Sequence, residues 1–309
     1  MIDARRLRTL QAVADHRTVT AAAAALHLTP SAVSQQIAAL EQETGHKVLA
    51  RDHRGARLTP VGAILLRHAG AVLAELERAE AEVAAYTSGA AGEVTVAAFA
   101  TGIGVVVAPA ITTLRAAAPG IVVRVRDAEG DESLPMVLDG RADIAVAVEY
   151  RGAPSAGDRR LVRVPLYAEP FDAVLPRDHR LAHAPAVPVA ALAEDPWIGP
   201  YPGNPCHDVM VLACEYAGFR PELAHSSDDF RAVVTLAGAG AGVALVPRSA
   251  LRDTDLTQVA VRPVDGVAAT RRVFAAVRHG AEDHPLFRPV LDALSAAATA
   301  VPPGDPVTA

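Results

Sequence analysis

Apolar residues recur at helical intervals along the first 86 positions, and the pattern breaks twice. Leu7, Leu10 and Val13 mark one face of a short helix over residues 4–14. An alanine-rich helix follows from Ala21 to Leu26, with Thr18 or Thr20 placed to cap it. Leu28-Thr29-Pro30 then interrupts the run, and Pro30 suits the first position of a third helix. That helix, Ser31 to Glu43, turns Val33, Ile37 and Leu40 inward and stops at Gly45. Lys47–Thr59, with Arg51, Arg54 and Arg57 around Gly55, reads as a β-hairpin. Thr59-Pro60 opens a long helix in which Leu65, Ala69, Val72, Leu76, Ala79, Val83 and Tyr86 form an a/d seam. Such a helix either pairs with a second copy or lies on its own domain.

From Gly92 the period changes. Glu93–Phe99 reads as a strand, Ile103–Ala117 as a helix and Ile121–Asp127 as a second strand. Asp131 opens a short helix to Gly140, and Asp143–Val148 is a continuous apolar strand of the kind a parallel sheet buries. This is a βαβαβ unit, expected to be right-handed and doubly wound. A second set comprises strand Phe171–Leu175, a loop to Trp197, helix His207–Ala217, strand Glu222–Ser226, helix Asp228–Gly238 and strand Val243–Val246. Strand Arg271–Val277 and helix Leu286–Ala298 close the chain. Two α/β lobes imply a cleft suited to a small ligand. Ala100-Thr101-Gly102 joins the first strand to its helix; its backbone N–H groups and the Thr101 hydroxyl suit an anion, although Thr101 also serves as a cap.

Charge sharpens the division. The 309 residues carry a net charge of −6, but residues 1–60 hold eight basic and five acidic side chains. A head of +3 therefore sits on a body of −9, the asymmetry expected when only the head meets phosphate. Two short helices joined by a tight break make a helix-turn-helix, whose second helix enters the major groove of double-stranded DNA. Ser31, Ser34, Gln35 and Ala38 face outward there, and Gln pairs well with adenine. Two cysteines cannot make a disulfide framework. The N-terminus lacks an apolar leader, and the longest apolar stretches, around Val105 and Ala241, fall short of the ~18–20 residues of a membrane span. A cytoplasmic, non-membrane protein is expected. Cys206-His207-Asp208 invites a nucleophile reading, but neighbours at a helix start diverge, and no C-x-x-C, G-x-S-x-G or P-loop occurs. No enzyme activity, metal or cofactor is expected.

The residues that carry the head also carry a resemblance. Ala22-Ala23, Leu26 through Ile37, Leu40-Glu41, Gly45, Arg51 and Leu58-Thr59-Pro60-Val61-Gly62 resemble the winged helix-turn-helix of LysR-type transcriptional regulators. Leu10 stands for the usual Phe, Val48-Leu49 for Leu-Phe, and Arg17-Thr18 for Gly-Ser. The body is similar to the family's effector-binding domain through Gly140-x-Ala142-Asp143-Ile144, Leu175-Pro176-x-Asp178-His179 and Ala239–Pro247.

The resemblance implies a winged helix-turn-helix (1–60), a linker and dimerisation helix (61–89) and a two-lobed α/β domain (90–309) similar to periplasmic binding proteins. Lobe I would take 90–163 and 268–300, and lobe II 164–267. It implies Thr29, Pro30, Ser31, Ser34 and Gln35 at the groove of promoter DNA, with Arg51 and Arg54 on the wing. A small-molecule effector of unknown identity would meet Thr101, Gly102, Ala128, Glu149, Gly199, Pro200, Tyr201 and Ser226. The expected assembly is a homotetramer built from linker-helix dimers, with RNA polymerase as a further partner. The alternative is a small-molecule-binding or enzymatic α/β protein with an incidental helical head.

Overall fold

The computed structural model describes residues 2–52, 55–86, 91–150, 158–252, 254–265 and 269–301. Three helices and a hairpin form the head: α1 (Ala4–His16), α2 (Val19–Ala25), α3 (Pro30–Thr44), β1 (Leu49–Asp52) and β2 (Gly55–Leu58). Each helix start has a side-chain cap. Asp3 accepts from the Arg5 N–H at 2.8 Å. Thr18, not Thr20, caps α2 through the Ala21 N–H at 3.1 Å, and Thr29 caps α3 through the Ala32 N–H at 3.1 Å. Ala22 and Ala23 let α2 approach Val13 and Val33, while Leu10, Ile37, Leu40 and Val48 form the second half of the head's core. The linker helix α4 (Pro60–Tyr86) spans 27 residues, about 40 Å at the α-helical rise. It crosses the wing so closely that a Cβ on Gly62 would lie 2.1 Å from the Val48 carbonyl oxygen. Leu65 and Ala69 face the head, whereas Ile64, Val72 and Leu76 are exposed.

Lobe I is built on the parallel strands β3 (Gly92–Ala98), β4 (Ile121–Asp127) and β5 (Ile144–Val148), in the order β4-β3-β5. Every residue of β5 is buried, as its unbroken apolar run requires. Between β3 and β4 the chain forms α5 (Ala100–Gly102), a π-turned stretch Ile103–Val107 and α6 (Ala108–Ala117). The whole run Ala100–Ala117 is as long and apolar as a membrane span, longer than the sequence pattern suggests. Val106, Val107, Ala110 and Leu114 nonetheless pack into the lobe's own core. α7 (Gly130–Leu138) covers the opposite face, and no side chain caps it.

The long strand β6 (Leu161–Pro176) joins the lobes. Lobe II adds β7 (Val187–Pro188), β8 (Trp197–Gly199), α8 (Pro205–Tyr216), β9 (Leu223–Ser226), α9 (Phe230–Gly238), β10 (Ala244–Pro247) and β11 (Val259–Asp265). Its core surrounds Trp197, whose indole N–H donates to the Leu192 carbonyl at 3.1 Å. The chain then returns to lobe I as β12 (Thr270–Arg278) and ends in α10 (Phe287–Ala298). β6 pairs with β12 along Leu161–Pro170 and with β10 and β11 along Phe171–Pro176. The chain therefore crosses between lobes at Pro170–Phe171, later than the division at 163/164 that the resemblance implies.

The head is fastened to lobe I. Arg160 holds Asp15 of α1 at 2.7 Å, and His16 meets Asp139 at 3.1 Å. Glu77 of α4 takes Arg278 of β12 at 2.9 Å and Arg8 of α1 at 3.3 Å. Burial pushes the Asp15 carboxyl up, against the pull of Arg160.

Candidate functional site

Two regions gather the residues that chemistry would need. On the head, Ser31, Gln35 and Ala38 are exposed along α3 and Ser34 is half-buried, while Val33, Ile37 and Leu40 hold the opposite face to the core. Gln36 turns back onto the Thr9 hydroxyl, so Gln35 is the glutamine left facing outward. Thr29 spends its hydroxyl oxygen on the helix cap. Arg51 lies on β1 opposite Ala56, and Arg54 falls outside the described residues. The arrangement offers short polar side chains on a rigid helix beside a basic hairpin. These are the means to read base edges and grip phosphates.

The second region is a cavity of about 880 Å³ where the lobes meet, a size suited to a whole metabolite. Its floor holds a buried ion pair. Arg271 donates through Nε to Glu169 at 2.8 Å, with the two side chains 1% and 3% exposed. Arg271 also donates to Thr101 Oγ1 at 2.9 Å and to Ser249 Oγ at 3.3 Å, and stands 5.0 Å from the Phe99 ring centroid. Ser249 completes the pairing by donating its N–H and hydroxyl to the two Glu169 oxygens at 2.7 and 2.9 Å. Burial works most strongly against the Arg271 charge, but Glu169 together with the neighbouring Cys206 and Tyr167 outweighs it and holds the guanidinium ionised. Lobe I thus reaches lobe II through one fully bonded polar cluster. Cys206 lies at the same floor, where it accepts from Arg271 at 3.6 Å; burial pushes its thiol up to about 11 despite that neighbour.

Of the residues expected at an effector, Thr101 and Ala128 line this cavity. Gly102 stands behind it, against the Phe99 ring. Glu149 is exposed and bonded by its N–H to Arg272, away from the lining. Gly199, Pro200, Tyr201 and Ser226 also lie off the lining. The segment is joined to the lining nonetheless: the Tyr201 N–H donates to Asp228 at 3.0 Å, and Asp228 lines the cavity. Sequence reasoning missed Glu169, Ser249 and Arg271. A strand that alternates exposed Thr270 and Arg272 with buried Arg271 and Val273 carried the signal for the arginine. No cluster of His, Cys, Asp and Glu suited to a metal occurs among the described residues.

Comparison with known proteins resolves the identity of both regions. "LysR substrate binding domain" matches residues 87–299, and "Bacterial regulatory helix-turn-helix protein, lysR family" matches residues 4–63. The chain belongs to the LysR family. A probable hydrogen peroxide-inducible genes activator of Mycobacterium avium is 32% identical over 79% of this chain and 78% of its own. In fold, the LysR-family chain is similar to full-length OxyR of Pseudomonas aeruginosa, with a TM-score of 0.66, 21% identity and coverage of 97% and 95% of the two chains. It is also similar to full-length CbnR complexed with its target DNA, at 0.55, 24%, 96% and 100%. This LysR-family protein is a DNA-binding transcriptional regulator with a ligand-binding domain.

Proposed function

We propose that a small molecule entering the cavity draws the lobes together and, through lobe I, repositions the head on promoter DNA. The fastening of head and linker helix to lobe I by Asp15–Arg160, His16–Asp139 and Glu77–Arg278 carries this reading. A head tied to one lobe moves when that lobe moves. The ligand acts only as far as it favours one arrangement over the other.

In this reading Ser31, Ser34 and Gln35 read base edges, Thr29 and Pro30 set the helix, and Arg51 and Arg54 follow the backbone. Two chains pair along α4, where Val72 and Leu76 are 43% and 44% exposed, and two pairs make a tetramer on a pseudo-palindromic site. RNA polymerase is the further partner, and the protein acts in the cytoplasm without catalysis. Thr101 and Ala128 touch the effector, and Gly199–Tyr201 and Ser226 position the groups that do. Binding is non-covalent, because a buried thiol held at about 11 presents little thiolate. Footprinting of the full-length protein upstream of its own gene should show protection that weakens steeply with salt. Absence of any footprint at low salt would overturn the proposal.

A further inference from the structure

The charges around the cavity bear on what it can hold. Three helices begin beside it; side chains cap two of those starts, and acidic residues stand in the first turn of the third. Asp131 and Glu132 sit in the first turn of α7. Asn204 caps α8 and Asp208 stands in its first turn. Asp229 caps α9 through the Arg231 N–H at 2.8 Å. A helix start is where an anionic ligand would seek backbone N–H groups; here Asp229 holds that place at α9, Asn204 holds it at α8, and acidic first turns disfavour an anion at α7 and α8. The buried cation, Arg271, is committed to Glu169. Arg231 and Arg252 line the cavity from exposed positions on lobe II.

Against them stand five carboxylates, Asp127, Glu129 and Glu132 from lobe I and Asp228 and Asp229 from lobe II. Glu129 of lobe I and Asp228 of lobe II line the same cavity. Glu129 is half-buried, and burial together with Asp228 holds its carboxyl up at about 7. Asp228 is fixed in place, one oxygen accepting from the Tyr201 N–H at 3.0 Å and from Asn204 at 3.1 Å. Asp228 lines the cavity.

We propose that the effector is a small organic cation, an amine or guanidine whose protonated nitrogen seats between Glu129 of lobe I and Asp228 of lobe II. The proposal rests on the reading of this cavity as the effector site. A cation there replaces like-charge repulsion across the junction with two attractions, and so favours the closed arrangement. A dicarboxylate would add charge of the sign already in excess.

The test uses thermal melts of the full-length protein with agmatine, spermidine and L-argininamide, against succinate and citrate at matched ionic strength. Two variants accompany the wild type. Glu129→Gln removes one carboxylate. Gly104→Leu fills the chamber, since a Cβ at this lining position meets no atom within 4 Å. At least one amine should raise the melting temperature, lose on the order of tenfold or more in affinity in Glu129→Gln, and lose its effect in Gly104→Leu. Stabilisation by succinate or citrate that Gly104→Leu abolishes, with all amines silent, would overturn the cation while leaving the site intact. Amine stabilisation that survives Gly104→Leu, or silence of every probe with operator binding unchanged in that variant, would instead remove the cavity as the effector site.

Discussion

In the head, α2 meets its neighbours over Ala22 and Ala23, and the buried cluster they share with Ala12, Val13 and Val33 is wholly apolar. In the body, Ser249 of lobe II meets lobe I at a buried cross-strand ion pair, Arg271 and Glu169, 1% and 3% exposed. The apolar contact has close packing and little to gain from rearrangement. The ion pair contributes little net stability, since the desolvation of both ions offsets their attraction, but any state that parts the lobes there forfeits the two bonds from Ser249 to Glu169. The reading surface is therefore held rigid, and the place where the molecule chooses between arrangements is held by charge.

Breaking the polar side should produce the largest effect. Arg271→Met leaves Glu169 buried without its cation and should cost about 3–5 kcal/mol, seen as a lower melting temperature. Adding Glu169→Leu should restore most of it, and failure to do so would show that the pair does more than neutralise itself. On the head, Gln35→Ala should relax base preference by ~1–3 kcal/mol without unfolding. An unchanged operator preference in a binding-site selection would take Gln35 out of the reading set. At the junction of the two regions, Arg160→Ala should loosen the head from lobe I by about 1 kcal/mol, measured as faster hydrogen exchange in α1. Asp15→Asn should leave that exchange nearly unaltered, because burial of the Asp15 carboxyl already outweighs its pairing.

A further effect is one of pH. Glu129 binds its proton more tightly in the folded chain, at about 7 against an ordinary 4.5. Its contribution to stability is full below 4.5 and is lost as the pH rises through about 7. That slope in melting temperature should flatten in Glu129→Gln.

The same contrast explains what could be read from the chain. The head's chemistry is contiguous: Thr29 through Gly45 contains cap, proline, reading face and stop, so local rules locate it. The cavity floor joins Thr101 to Arg271 across 170 positions, and no local pattern announces that meeting. The first half of β6 escaped notice because Arg163 and Glu169 interrupt its apolar alternation. Glu169 is polar because it serves Arg271, so the function of the site erased the signal of its strand. Gly199–Tyr201 falls beside the cavity, joined to it where the Tyr201 N–H donates to Asp228.

One strand has a consequence for the regulator as a whole. β12 carries Arg271 at the cavity and, seven residues on, Arg278 against Glu77 of the linker helix, a rod of about 23 Å at the usual strand rise. Because this one strand touches both compartments, any coupling it carries runs in both directions. Whatever factor the metabolite imposes on the affinity for the operator, the operator imposes on the affinity for the metabolite. Regulator molecules already seated on a promoter would thus respond to a different concentration of the metabolite from those diffusing free.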